Sequence, residues 1–194
     1  MTVLDDRTEM ADSDDDTSAL DALFEQLSVP EGFKAEIVEG AVFMVPQRST
    51  HWLIIRRIVR ALDERFGMDA LVFSDVRIDF PGHRNGFCPD VAKLRDGAEQ
   101  DETGHWLHQD IEFVAEVLSK GTAANDYGPK KTAYAIAEVP VYLLVDPYVG
   151  KCHVHTQPKD AEYVTETTVA FGGNVDLPIA DLTLTLITAD FPRD

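Results

Sequence analysis

Ile111-Glu112-Phe113-Val114-Ala115-Glu116-Val117-Leu118, residues 111–118, alternates in a way that admits two placements. Glu112, Val114, Glu116 and Leu118 share one face of a strand, and Ile111, Phe113, Ala115 and Val117 share the other. The run is apolar enough for a central strand covered on both sides, and it also fits an edge strand with one wet face. In the first placement Glu116 must be solvated at the strand end, paired, or bound to a cation. An unpartnered carboxylate in a low dielectric is too costly to keep.

Working outward, strand-like runs cover 70–74, 76–80 and 87–93, with Pro81-Gly82 as a turn, and 96–109 reads as a polar loop. Earlier still, 35–38 and 41–45 flank a hairpin turn at Glu39-Gly40. Ser49-Thr50 then precede a helix over 51–66, whose Leu53, Ile54, Ile58, Val59, Leu62 and Phe66 form one apolar face, and Gly67 ends it. Downstream, 125–137 reads as a helix, 141–146 as a buried strand, and 152–156, 163–169 and 182–187 as a β-rich end. These elements predict an α/β domain over 33–190: a mixed central β-sheet flanked by helices, with additional β-strands. Ahead of it, 18–32 reads as a short amphipathic helix (Leu20, Leu23, Phe24, Leu27) and a linker, and 1–17 as a disordered acidic tail.

At 194 residues, 44% hydrophobic and 27% charged, the composition is that of a soluble globular protein. No apolar run reaches the roughly 20 residues of a membrane span, and the acidic start is unlike a secretory signal, so a cytoplasmic location is expected. Cys88 and Cys152 form no CxxC pair and read as reduced thiols, with a disulfide between them the lesser alternative. The net charge of −18 excludes a protein that grips DNA through a broad basic face. About half of that excess lies in residues 1–31, where ten acids face the single Arg7. Arg56, Arg57 and Arg60 on the 51–66 helix are the best basic cluster. Weak nonspecific DNA affinity is expected.

Asp90 follows Pro89 and precedes Val91-Ala92; it is either a turn aspartate capping a local amide or an acid held half-buried by a partner. Asp126, Lys130 and Tyr134 recur at four-residue steps, either as a surface Asp–Lys pair or as one face of a site. Two strand-borne acids and a nearby lysine are the parts needed to hold a divalent metal and activate water against a phosphodiester. His105 and His108 lack the partners of a zinc site, while His153 and His155 form either a metal pair or an exposed strand face. There is no P-loop, dinucleotide fingerprint or Gly-x-Ser-x-Gly.

In order, Ala35-Glu36-Ile37-Val38-Glu39-Gly40, Pro89-Asp90, Glu116-Val117-Leu118-Ser119, the Asp126-Lys130-Tyr134 spacing and Val139-Pro140-Val141-Tyr142-Leu143-Leu144-Val145-Asp146-Pro147 resemble the Uma-type family. That family is restriction-endonuclease-like and belongs to the PD-(D/E)xK nuclease superfamily; the resemblance covers 33–187. It implies a restriction-endonuclease-like core in which Asp90, Glu116 and the Val117 carbonyl hold Mg²⁺ or Mn²⁺ for cleavage of DNA. The superfamily lysine normally stands two residues after the second acid, where this chain has Leu118. The resemblance therefore implies Lys130, on the following helix, as the lysine that orients water or stabilises the transition state. It further implies accessory places for Glu36 and Glu39 as acids, for His51, and for Asp126 and Tyr134, the tyrosine packing under the lysine. His51 reads equally well as a capping or core histidine. Nuclease folds of this kind often dimerise, so a homodimer is among the expectations. The rival expectation is a nuclease fold without turnover, serving as an interaction or regulatory module, and a third is an acidic tail that masks the cleft as a DNA mimic.

Overall fold

The computed structural model describes residues 14–194, with side chains from Ser18 onward. Helix α1 (Asp14–Gln26) leads to the hairpin β1 (Phe33–Val38) and β2 (Ala41–Pro46), then to the long helix α2 (Ser49–Phe66). Short strands follow: β3 (Val72–Phe73), β4 (Ile78–Phe80), β5 (Asn85–Phe87), β6 (Val91–Leu94) and β7 (Trp106–Leu107). A 3-10 turn (His108–Asp110) precedes β8 (Ile111–Val117), after which come α3 (Ala123–Tyr127) and α4 (Pro129–Ile136). The chain ends in β9 (Val141–Asp146), β10 (Lys151–Lys159), β11 (Glu162–Ala170), β12 (Asn174–Ile179) and β13 (Leu182–Ile187).

The central sheet has the order β11-β10-β9-β8-β6-β3. Its pairs are antiparallel except β8–β9, a parallel pair joined by the α3–α4 crossover, as parallel neighbours require. Strand β8 is thus interior, bonded to β6 and β9, and the edge-strand reading of 111–118 is corrected. Phe113, Ala115 and Val117 pack against Ile54, Ile58 and Leu62 of α2 and against the β12–β13 hairpin. Val114 and Leu118, on the other face, meet Phe87, Tyr134 and Tyr142. That second face is covered by α4 and by a five-stranded sheet of order β2-β1-β5-β4-β7. The expected α/β fold with a mixed central sheet is what the chain adopts, with the second sheet taking much of the space assigned to helices.

Several boundaries differ from the sequence reading. The run over 87–93 divides between two sheets, because Pro89 has no N–H for a ladder and the chain crosses there from β5 to β6. The helix expected over 125–137 breaks into α3 and α4 at Gly128-Pro129, since the proline ring disfavours helical geometry in the residue before it and cannot donate. The 96–109 loop holds β7 and the start of the 3-10 turn. On α2 the expected face is buried at Ile54, Ile58 and Leu62, but Ile55 joins it and Leu53 is exposed. Helix α1 starts at Asp14, inside the segment assigned to the tail; the rest of that tail, residues 1–13, lies outside the described residues.

Helix α1 is docked by few contacts. Leu20 is buried, Arg77 donates to Asp21 at 2.7 Å, and the Arg77 guanidinium lies 4.4 Å over the Phe24 ring. Gly86 makes room for that ring, since a Cβ there would stand 2.6 Å from Phe24 Cε2. At the β1–β2 turn, Glu39 and Gly40 both have positive φ, 50° and 78°, as two-residue hairpin turns favour. Both cysteines are free and buried. Among the described residues no helix is long and apolar enough to cross a membrane.

Candidate active site

Four elements converge on one cleft. Strand β1 contributes Lys34 and Glu36, two residues apart and so on the same face of the strand. The crossing between β5 and β6 contributes Asp90, just ahead of β6. Because Val91 pairs with Ala115, Asp90 arrives beside the end of β8. Its N–H donates to Glu116 Oε2 at 3.3 Å, and the Val117 N–H donates to Asp90 Oδ2 at 2.7 Å. Asp126 comes from α3, and Lys130 and Tyr134 come from α4.

Lys130 reaches the acids. Its Nζ lies 2.6 Å from Glu116 Oε1, 3.0 Å from Glu36 Oε1 and 3.1 Å from Asp126 Oδ1. With 1% of its side chain exposed, it is no surface partner of Asp126, and that reading is corrected. The Tyr134 hydroxyl donates to Glu116 Oε1 at 2.6 Å, its ring set edge-on to Phe80 and Phe87. His51, in the first turn of α2, is buried and within 2.7 Å of the Leu118 carbonyl through Nε2. A carbonyl only accepts, so that nitrogen carries the proton and the ring ties α2 to the end of β8.

Glu39 does not join the cleft. It sits exposed at the hairpin turn, three residues from Glu36, and its backbone N–H donates to Asn85 Oδ1 at 2.8 Å. Strand period and turn together carry it away, so its place as an accessory acid is corrected. Two charged residues inside the cleft, Lys34 and Asp75, are not singled out by the sequence, nor are Gln47, Arg48, Trp52 and Thr122 at its rim. Lys34 Nζ stands 2.6 Å from Asp90 Oδ1 and 2.9 Å from the Cys88 carbonyl, 3.5 Å from Asp75 Oδ1, and 4.0 Å from both Glu36 and Glu116. Asp75 has positive φ in the β3–β4 connection; its Oδ2 accepts from Gln47 at 2.5 Å, and its Oδ1 is buried without a hydrogen bond. The two-residue step from Lys34 to Glu36 was the available signal for the lysine; for Asp75 there was none.

The cleft encloses about 260 Å³ and is rimmed by Gln47, Arg48, Trp52 and Thr122, with Trp52 56% exposed. Inside, five carboxylates (Glu36, Asp75, Asp90, Glu116, Asp126) face two ammonium groups (Lys34, Lys130). Burial works against both lysine charges, yet the surrounding acids win and hold both pKa values well above the ordinary one: Asp90 and Glu36 foremost for Lys34, Glu116 and Glu36 for Lys130. Burial likewise favours the neutral form of Glu36 and Asp90, but the lysines outweigh it and lower both. For Asp75 and Asp126 burial prevails and raises the pKa. Glu116 goes furthest: burial pushes it up to about 8 against the pull of Lys130 and Lys34. Asp90 and Glu36 add to that rise, while the Lys130 charge beside it is held by Glu116 and Glu36.

A hard divalent cation suits these donors in kind. They are carboxylate oxygens, they exceed the ammonium groups by three, and Asp75 Oδ1 is a buried oxygen still without a hydrogen bond. Among the described residues no three His, Cys, Asp or Glu donors already stand as a cage, because the two lysines are interleaved with the acids. His153 and His155 form no second cage. Both turn to Glu166, with His153 Nδ1 3.1 Å from it, and His155 is buried between Tyr142 and Tyr163.

A family model described as "Putative restriction endonuclease", Uma2, matches residues 21–187. Among solved structures, a putative nuclease belonging to DUF820 from Anabaena variabilis ATCC 29413 is similar in fold, with a TM-score of 0.66 and 18% identity over 86% of this chain and 94% of that one. No match was found among curated proteins. The matched region takes in every residue of the cleft from Lys34 to Tyr134, and this chain belongs to the Uma2 family of putative restriction endonucleases.

Proposed function

We propose that the cleft is a metal-dependent endonuclease centre that hydrolyses DNA phosphodiester bonds. The observation that carries this reading is the meeting of Lys130, from α4, with Glu116 and Glu36, from two different sheets, at 2.6 and 3.0 Å. In this reading Asp90, Glu116 and the Val117 carbonyl hold Mg²⁺ or Mn²⁺, which when bound supplies a Lewis acid for the phosphate and lowers the pKa of a water. The chain's own groups do the rest. Lys130 offers N–H donors to the attacking water or to charge building on the phosphate oxygens. Glu36 and Asp126 hold that ammonium in place, and Tyr134 fixes the Glu116 carboxylate. His51 anchors the carbonyl end of β8, and Arg48 at the rim meets the incoming phosphate backbone.

The test is nicking of supercoiled plasmid and of branched DNA with Mg²⁺ or Mn²⁺, comparing wild type with Asp90→Ala. Metal-dependent nicking by wild type, reduced at least a hundredfold in the variant, is expected. Equal cleavage by both proteins, or none on any substrate, sinks the reading. One observation favours a second reading, a nuclease fold acting as an interaction module: the chain carries −18 net charge, which opposes DNA binding. Specific capture of a protein partner by a chain that cuts no DNA is its signature.

A further inference from the structure

Lys34 stands where a cation shared by the acids of the cleft belongs. Its ammonium is 2.6 Å from Asp90 Oδ1 and 4.0 Å from both Glu36 Oε1 and Glu116 Oε2, and it also donates to the Cys88 carbonyl at 2.9 Å. The side chain is 8% exposed, so this ammonium is a built part of the interior rather than a surface lysine. Magnesium–oxygen bonds are only about 2.0–2.1 Å long. An ion bonded to Asp90 Oδ1 and an ammonium hydrogen-bonded to the same oxygen would be two like charges a few ångströms apart at a buried site, each weakening the other's hold. A second seat for the ammonium is at hand. Asp75 Oδ1, buried and without a hydrogen bond, is 3.5 Å from Lys34 Nζ, so a shift of about 1 Å along a flexible four-carbon stem brings the pair to hydrogen-bond distance.

We propose that Lys34 is the resident counter-ion of the cleft, occupying the seat of the divalent cation, and that the ion enters by displacing the ammonium from Asp90 to Asp75. This inference rests on the metal-dependent reading above. It makes Lys34 a regulator of metal affinity and Asp75 the receiver that keeps the displaced charge paired. Metal uptake is then an exchange of one cation for another, and the acids never stand without one.

Calorimetric titration of the full chain with Mn²⁺ tests it on wild type, Lys34→Met, Asp75→Asn and the double variant, each checked by thermal unfolding. Lys34→Met should tighten Mn²⁺ binding at least tenfold, with Tyr134 and the apolar core retaining the fold. Asp75→Asn should weaken binding several-fold in the wild-type background and have little effect beside Lys34→Met, because there is no longer an ammonium to receive. An equal effect of Asp75→Asn in both backgrounds shows simple charge loss and overturns the receiver role. Unchanged or weaker binding by Lys34→Met overturns the displacement while leaving the metal-dependent reading standing. No uptake by any of the four proteins overturns both. Should Lys34→Met fail to fold, Lys34→Arg carries the test: a bulkier fixed cation lowers Mn²⁺ affinity at least tenfold if the seat is shared, and unchanged affinity refutes it.

Discussion

At the scale of single residues, His155 is the clearest titration outside the cleft. Burial drives its pKa down to about 4, with Glu166 pulling the other way and Lys131 and His153 adding to the descent, and its Nε2 is buried without a hydrogen bond. Unfolded, a histidine titrates near 6.5. Between those values the unfolded chain takes up a proton that the folded chain refuses. The stability conferred by the neutral ring is therefore present above about pH 6.5 and lost as the pH falls toward 4. We expect acidification from pH 7 to 4.5 to cost about 1–2 kcal/mol through this residue, the screened and half-exposed Glu166 reducing the effect. Urea unfolding checks it: His155→Phe should lose less stability than wild type over that interval, and an identical loss refutes the assignment. Within the cleft, Asp90, Glu116 and Lys130 were legible because their order along the chain is itself a pattern. Lys34 was not. A lysine in a short strand reads as a solvated charge, and only the acids brought by distant elements make it internal.

At the scale of elements, α1 rests on the second sheet through Arg77, Phe24 and Leu20. Arg77 also spans Asp79 with two bonds of 2.7 Å, so removing it leaves two acids facing each other across the joint. Arg77→Met should lower global stability by about 1–2 kcal/mol and accelerate amide exchange in the described part of α1, with β8 and β9 unaffected. Gly86→Ala should loosen the same joint by pushing on Phe24. Protection in 18–26 that survives both changes would show that the helix is held otherwise. The element reading from sequence was good wherever periodicity was strong, as in α2 and β8. It failed at the short pieces, although Gly128-Pro129 and Pro89 were readable breaks. Which strands pair across the two sheets was not legible, since that choice depends on contacts between segments far apart in the chain.

At the scale of the whole molecule, the excess of negative charge is the largest influence outside the core. A net −18 on 194 residues repels itself, and salt screens that repulsion over about 10 Å at 0.1 M. Raising NaCl from 20 to 300 mM should therefore raise the unfolding midpoint by several degrees, whereas a protein held by surface ion pairs would lose stability. The same charge opposes DNA, so under the endonuclease reading proposed above contact would rest on the few groups at the cleft rim.

Strand β1 belongs to one sheet and β6 and β8 to the other, yet Lys34 and Glu36 find their nearest opposite charges outside their own sheet, in Asp90 and Lys130. The cluster thus works as a registration mark between two halves of the molecule. A slip of β1 by one residue would turn Ala35 and Ile37 toward the acids and take Lys34 from Asp90 and Glu36 from Lys130. The charges of the cleft thus add a penalty for any other seating to the one the apolar core already imposes.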